Sequence, residues 1–125
     1  MKYFLSLGSN IEPEKNLDLA IGALEKILDE INCSSIHQTK AEGFEGEDFL
    51  NLVISGISTL SFESLNKMLK SIEDTAGRDR GAPKFSARTL DIDIVLQLND
   101  EEEILFESDE IAKYSFVSEP LKELL

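Results

Sequence analysis

The 125-residue chain carries 25 acidic and 12 basic residues, a formal charge of −13, with 42% hydrophobic and 30% charged residues. This is the balance of a soluble globular protein, not of a disordered one, and its acidity argues against nucleic acid or an anionic membrane as partner, since both need a basic footprint. Length predicts one domain over residues 1–125; no apolar run nears the ~18 residues of a bilayer span, the N-terminus is too soon interrupted for a signal peptide, and a lone cysteine, Cys33, suits a cytoplasmic protein.

In chain order, Tyr3 to Leu7 alternates and predicts a first strand, broken by a turn at Gly8-Ser9-Asn10, where glycine lets the backbone approach something closely. Pro13, between Glu12 and Glu14, suits a first helical turn. Leu17, Ala20, Ile21, Leu24, Ile27, Leu28 and Ile31 then mark one helical face. Cys33 to Thr39 predicts a second strand, Ala41 to Asp48 an irregular acidic loop, and Phe49 to Ile57 a third strand. Within that strand Phe49, Asn51 and Val53 share a side. Ser61 is a suitable N-cap for a second helix whose core stripe is Phe62, Leu65, Met68, Leu69 and Ile72. After a loop from Thr75 to Ala87 the alternation returns: Leu90, Ile92, Ile94 and Leu96 on one face, Asp91, Asp93 and Val95 on the other. An edge strand around Ile104 to Phe106 follows, and Phe116 to Leu125 reads as a short strand and a helical turn from Pro120. The order β-α-β-β-α-β predicts an α+β, ferredoxin-like sandwich, an antiparallel sheet with helices on one face.

Two features carry chemistry. Asp91 and Asp93 point the same way, about 7 Å apart along a strand, so their charges repel unless water or a divalent cation intervenes. All three arginines, Arg78, Arg80 and Arg88, fall within eleven residues of an otherwise acidic chain, with Lys84 among them. Guanidinium forks suit phosphate oxygens, so this loop reads as an anion site. Alone, either feature also fits a solvated surface, and His37 reads as a partly exposed strand residue.

Leu7-Gly8-Ser9-Asn10, Phe49-Leu50-Asn51, Ile72-Glu73, Gly77-Arg78-x-Arg80 and Arg88-Thr89-Leu90-Asp91-Ile92-Asp93 occur in that order over about residues 3 to 96. In these motifs the chain resembles the 6-hydroxymethyl-7,8-dihydropterin pyrophosphokinase family of folate biosynthesis. The resemblance implies pyrophosphate transfer from ATP to a dihydropterin alcohol. It implies two Mg²⁺ ions held by Asp91 and Asp93, with Arg78 and Arg88 joining them in catalysis. Arg80, Lys84, Arg88, Glu73 and Lys70 are implied as nucleotide contacts. Thr39, Phe49, Asn51, Phe85 and Phe116 are implied as pterin contacts, with Phe49 and Phe116 as opposing aromatic faces. The implied partners are these small molecules, and the expected state is a monomer.

The chain also departs from the family pattern. Glu103, Glu107, Ser108 and Tyr114 stand where Arg, Pro, His and Arg are expected, and residues 100–110 hold seven acids and no base. Lys84 replaces an arginine, Ser86-Ala87 a Gly-Pro pair and Lys40 a proline. Two alternatives therefore stand beside the working kinase: a catalytically weakened pterin-binding protein, and a pyrophosphokinase for another small heterocycle.

Overall fold

The computed structural model describes residues 1–40, 47–77 and 90–125. Within them the elements are β1 (Lys2–Ser9), α1 (Pro13–Leu24), β2 (Asp29–Cys33), β3 (His37–Thr39), β4 (Phe49–Ile57) and α2 (Phe62–Thr75). They continue with β5 (Asp91–Leu98), β6 (Ile104–Glu107), α3 (Glu110–Lys113) and α4 (Ser115–Lys122). The strands form one sheet in the order β2-β4-β1-β5-β6, with β3 also on β4, and every pairing is antiparallel. With β2 and β3 taken as one interrupted strand, this is the expected ferredoxin-like α+β arrangement.

Alternation along the strands builds two cores. Tyr3, Leu5, Leu7, Leu52, Ile54, Ile92 and Ile94 face α1 and α2, meeting Leu17, Ala20, Leu24, Leu65 and Leu69. On the opposite face Phe4, Val53, Val95 and Leu96 meet Val117 and Leu121 of α4. A fully buried leucine in such a core contributes about 1.5–3 kcal/mol. The two central helices thus cover one face as expected, while α4 adds partial cover to the other. Among the described residues, α4 packs on Phe4, Val53, Val95 and Leu96 of the second face and not on Asp91.

Local expectations hold in several places. α1 starts at Pro13, and α2 is capped by Ser61, whose Oγ accepts from the Ser64 N–H at 3.2 Å. β4 has the expected bounds.

Elsewhere tertiary geometry overrides the pattern. Gly8 and Ser9 remain in β1, so the turn begins later than the residues suggest. α1 ends at Leu24 although apolar residues continue at helical spacing to Ile31. The chain instead turns into β2, with Glu30 at φ 51. The strand expected over Cys33–Thr39 is two strands, broken between Cys33 and His37. Met68 is 37% exposed, off the α2 core stripe. In β5 the register shifts opposite Phe4 and Leu5: Leu5 faces Ile94 and Phe4 faces Leu96. This bulge gives β5 an extra residue, so Val95 and Leu96 both join the α4 core and Leu96 leaves the face of Ile92 and Ile94. Finally, the strand expected from Phe116 is the helix α4. Val117, Pro120 and Leu121 form its buried stripe, with Pro120 inside the helix.

Candidate active site

Three adjacent strands set one row of the second face. Gly8 of β1 lies opposite Asn51 of β4 on one side and opposite Asp91 of β5 on the other. Cross-strand partners share a face, so Asn51 and Asp91 flank a residue with no side chain. A Cβ at Gly8 would come within 3.0 Å of Asn51 Oδ1, and the close approach foreseen from this glycine is to that amide. The next row pairs Ser6 with Val53 and with Asp93, which places both aspartates on one face.

The Asn51 amide is held from the neighbouring strand. Its Nδ2 donates to Thr39 Oγ1 at 2.8 Å and to the His37 carbonyl at 3.4 Å. Phe49 is the register partner of Thr39 and is half-buried. β3 is itself tied to the end of α4. Glu123 Oε2 lies 2.6 Å from His37 Nε2, and its carboxylate accepts from the Ser35 N–H and Oγ–H at 2.8 Å each. These bonds hold the Glu123 carboxyl down at about 2, the Ser35 backbone N–H first among them, then His37. His37, expected as a partly exposed strand residue, therefore finds partners from a distant part of the chain.

The open end of β5 has its own supports. β6 pairs only with Leu96, Gln97 and Leu98. Beyond it, the outward N–H of Ile92 donates to Glu73 Oε2 at 2.7 Å, and the Ile92 carbonyl accepts from Lys70 Nζ at 3.3 Å. Side chains of α2 thus satisfy an edge that a strand satisfies further along. Glu73 is fully buried, and Lys70 also reaches Glu73 Oε2 at 3.3 Å and Asp93 Oδ1 at 3.4 Å.

Asp93 is a strongly perturbed acid on this face. Lost hydration pushes its carboxyl up to about 6, and the Asp91 charge adds to this. The Lys70 ammonium opposes the rise, while Glu110 of α3 and Glu73 add to it. The carboxyl tip stays partly exposed, so a cation can reach it. Among the described residues no group of three or more His, Cys, Asp or Glu is arranged as a metal cage. Two strand-borne carboxylates that repel each other on an open face nevertheless fit Mg²⁺. That ion usually takes one or two carboxylates and fills its octahedron with water and phosphate oxygens.

The chain matches the family described as 7,8-dihydro-6-hydroxymethylpterin-pyrophosphokinase (HPPK) over residues 4–125. It belongs to that family. A 2-amino-4-hydroxy-6-hydroxymethyldihydropteridine pyrophosphokinase of Aquifex aeolicus (strain VF5) is 36% identical over 95 residues, covering 74% of this chain and 59% of the relative. A folate synthesis bifunctional protein of Chlamydia caviae is 39% identical over 100 residues, covering 74% of this chain and 22% of the relative. The chain thus spans less than two thirds of the length of either.

Of the HPPK positions read from the sequence, the fold brings Asp91, Asp93, Lys70 and Glu73 together at one end of β5, and Thr39, Phe49 and Asn51 together on β3 and β4. Phe116 lies in α4, on the helix that covers the same face. Its ring stacks on Tyr114 with centroids 4.8 Å apart. Arg78, Arg80, Lys84, Phe85 and Arg88 lie outside the described residues, as do most of the acidic loop expected from Ala41 and of the basic loop expected from Thr75. One participant, and one contact of a residue already implied, were not legible beforehand. Glu110, from the acidic 100–110 segment, faces Asp93. Lys70 joins Asp93 as well as Glu73; only the second contact has a sequence signal, the i,i+3 spacing.

A cavity of about 530 Å³ opens elsewhere, lined by Asn10, Glu12, Glu14, Gln38, Asp48 and Leu50 among others. Leu50 packs with the α1/α2 core, so this cavity lies across the sheet from Asp91 and Asp93. Among the described residues no helix is long and apolar enough to cross a membrane.

Proposed function

We propose that this chain is a cytoplasmic pyrophosphokinase that transfers the β,γ-diphosphoryl group of ATP to the hydroxymethyl oxygen of 6-hydroxymethyl-7,8-dihydropterin. The observation that carries this reading is the row Asn51–Gly8–Asp91. It sets an amide and a carboxylate about 10 Å apart across two strand spacings, with no side chain between them. That interval suits an acceptor ring at one end and a polyphosphate at the other.

In the reaction the substrate hydroxyl oxygen attacks Pβ, the bond from Pβ to the oxygen bridging Pα breaks, AMP leaves with that oxygen, and the hydroxyl proton is released. Asn51, braced by Thr39 and the His37 carbonyl, orients the ring, and Phe49 offers it an apolar face. Asp91 and Asp93 are the residues that would hold Mg²⁺, two ions by the family's pattern, and the metal would supply neutralisation of phosphate charge. Arg78, Arg80, Arg88 and Lys84 donate hydrogen bonds to the phosphate oxygens, with Arg78 and Arg88 bearing on the charge that develops in the transition state. Phe85 and Phe116 complete the pterin contacts, and Glu73 and Lys70 shape the nucleotide side.

The acids near Asp93 favour a second reading. Glu110 stands close enough to Asp93 to add to its charge burden, which works against a triphosphate and suits a protein that keeps the pterin and has lost turnover. A coupled assay for AMP release with ATP, Mg²⁺ and the dihydropterin alcohol separates the two. Pterin-dependent AMP release is expected. Pterin binding by calorimetry without AMP release leaves the weakened binder. AMP release only with another heterocyclic alcohol replaces the acceptor.

A further inference from the structure

Lys70 brings a fixed positive charge to the place where a divalent cation would bind. Among the described residues its ammonium meets Glu73 Oε2 and the Ile92 carbonyl at 3.3 Å each, and Asp93 Oδ1 at 3.4 Å. The first two are groups that the fold itself holds in place. Glu73 is fully buried and is itself fixed by the Ile92 N–H, and the Ile92 carbonyl belongs to the sheet. Asp93 is the looser arm, longest in contact and 39% exposed. A divalent cation approaching Asp93 from the open face therefore meets a carboxylate that already faces an ammonium. Two cations at one carboxylate repel each other, most strongly where water is scarce.

We propose that Lys70 is the resident counter-ion of Asp93, which a divalent cation has to displace, so that the protein alone resists the cation and admits it together with the phosphates of the nucleotide. This rests on the reading that Asp91 and Asp93 face that cation. Lys70 is a positioning residue on this view: released from Asp93, it stays tethered by Glu73 and the Ile92 carbonyl. The family pattern of an acidic pair then acquires a threshold, set by a residue on the neighbouring helix.

The test uses Mn²⁺ as the probe, titrated into nucleotide-free protein at low ionic strength and followed by electron paramagnetic resonance of the unbound ion. Lys70→Gln is expected to bind Mn²⁺ about fivefold more tightly than the wild type, the upper end for a partly exposed ion pair. Lys70→Arg is expected to behave as the wild type, and the gain is expected to vanish in an Asp93→Asn background. Unchanged or weaker binding in Lys70→Gln, or a gain that survives Asp93→Asn, overturns the counter-ion role. Asp93→Asn alone tells the two readings apart. Mn²⁺ binding undiminished in that variant removes the carboxylate pair as a cation site, and this proposal with it. Weakened binding there, with Lys70→Gln unmoved, removes Lys70 only. Should Lys70→Gln lose its native circular dichroism, the doubly neutral Lys70→Gln/Glu73→Gln variant is titrated in its place, with the same tightening expected and the same results overturning it.

Discussion

The two ends of β5 solve one problem in different ways. At Leu96–Leu98 the outer edge of the strand is paired by β6, as in any antiparallel sheet. At Asp91–Asp93 no described strand follows, and the Ile92 N–H and carbonyl are taken up by Glu73 and Lys70 of α2. The comparison teaches why a functional site can sit on a sheet edge. Side chains from the covered side quiet the backbone, which leaves the opposite face open for carboxylates to meet a ligand.

The strongest way to break this contrast is Asp93→Ala. It removes a carboxylate from the open end while sparing the paired end. AMP release is expected to fall by at least about 100-fold, the scale of losing one electrostatic contact to the transition state, with the circular dichroism unchanged. Release at the wild-type rate would show that the open face has no part in the chemistry.

Next in size is Glu73→Ala, which attacks the substitute for the missing strand. It orphans the Ile92 N–H and strips Lys70 of a buried partner, and urea unfolding is expected to show a loss of about 2–3 kcal/mol. A loss no larger than that of a surface substitution would mean that the edge needs no such support.

Gly8→Ala probes the row that crosses from β5 to the amide. The new methyl group, within 3.0 Å of Asn51 Oδ1, has to turn that amide. The expected effect is a rise of about tenfold in KM for the pterin with a smaller change in kcat, the signature of lost ground-state binding. An equal fall in kcat would place the disturbance at the reacting atoms instead.

The smallest effect concerns pH in the metal-free protein. Asp93 ionises at about 6 when folded, against an ordinary 3.8. The folded state thus keeps a proton that the unfolded chain has lost, so stability falls as pH rises through that interval. The melting temperature of the wild type relative to Asp93→Asn is expected to drop between about pH 4 and pH 6. A flat difference would show that the open end does not strain its acid.

The alternation of Asp91 and Asp93, the shared side of Phe49, Asn51 and Val53, the Ser61 cap and the Pro13 start were legible because each depends on a repeat or a local bond. What failed depended on distant partners. Ile27, Leu28 and Ile31 continue a helical spacing, yet the chain turns into β2 to pair with β4, and apolar residues serve either structure. Leu96 changed faces because of a bulge set by its register with β1, which no count along β5 could reveal. α4 was hidden because Pro120 reads as a beginning when it lies inside the helix. The Lys70–Asp93 and His37–Glu123 contacts join residues 23 and 86 positions apart, and nothing local announces them.

The extra residue at Val95 also separates two histories within one strand. β1 pairs with β5 on both sides of it, but only the downstream part is also paired by β6 and packed by α4. Lengthening or shortening the 99–103 connection therefore shifts hairpin geometry on the far side of that discontinuity, and the aspartates keep their aim. The hairpin that follows Leu98 can vary while the chemistry-bearing tip of the strand stays undisturbed.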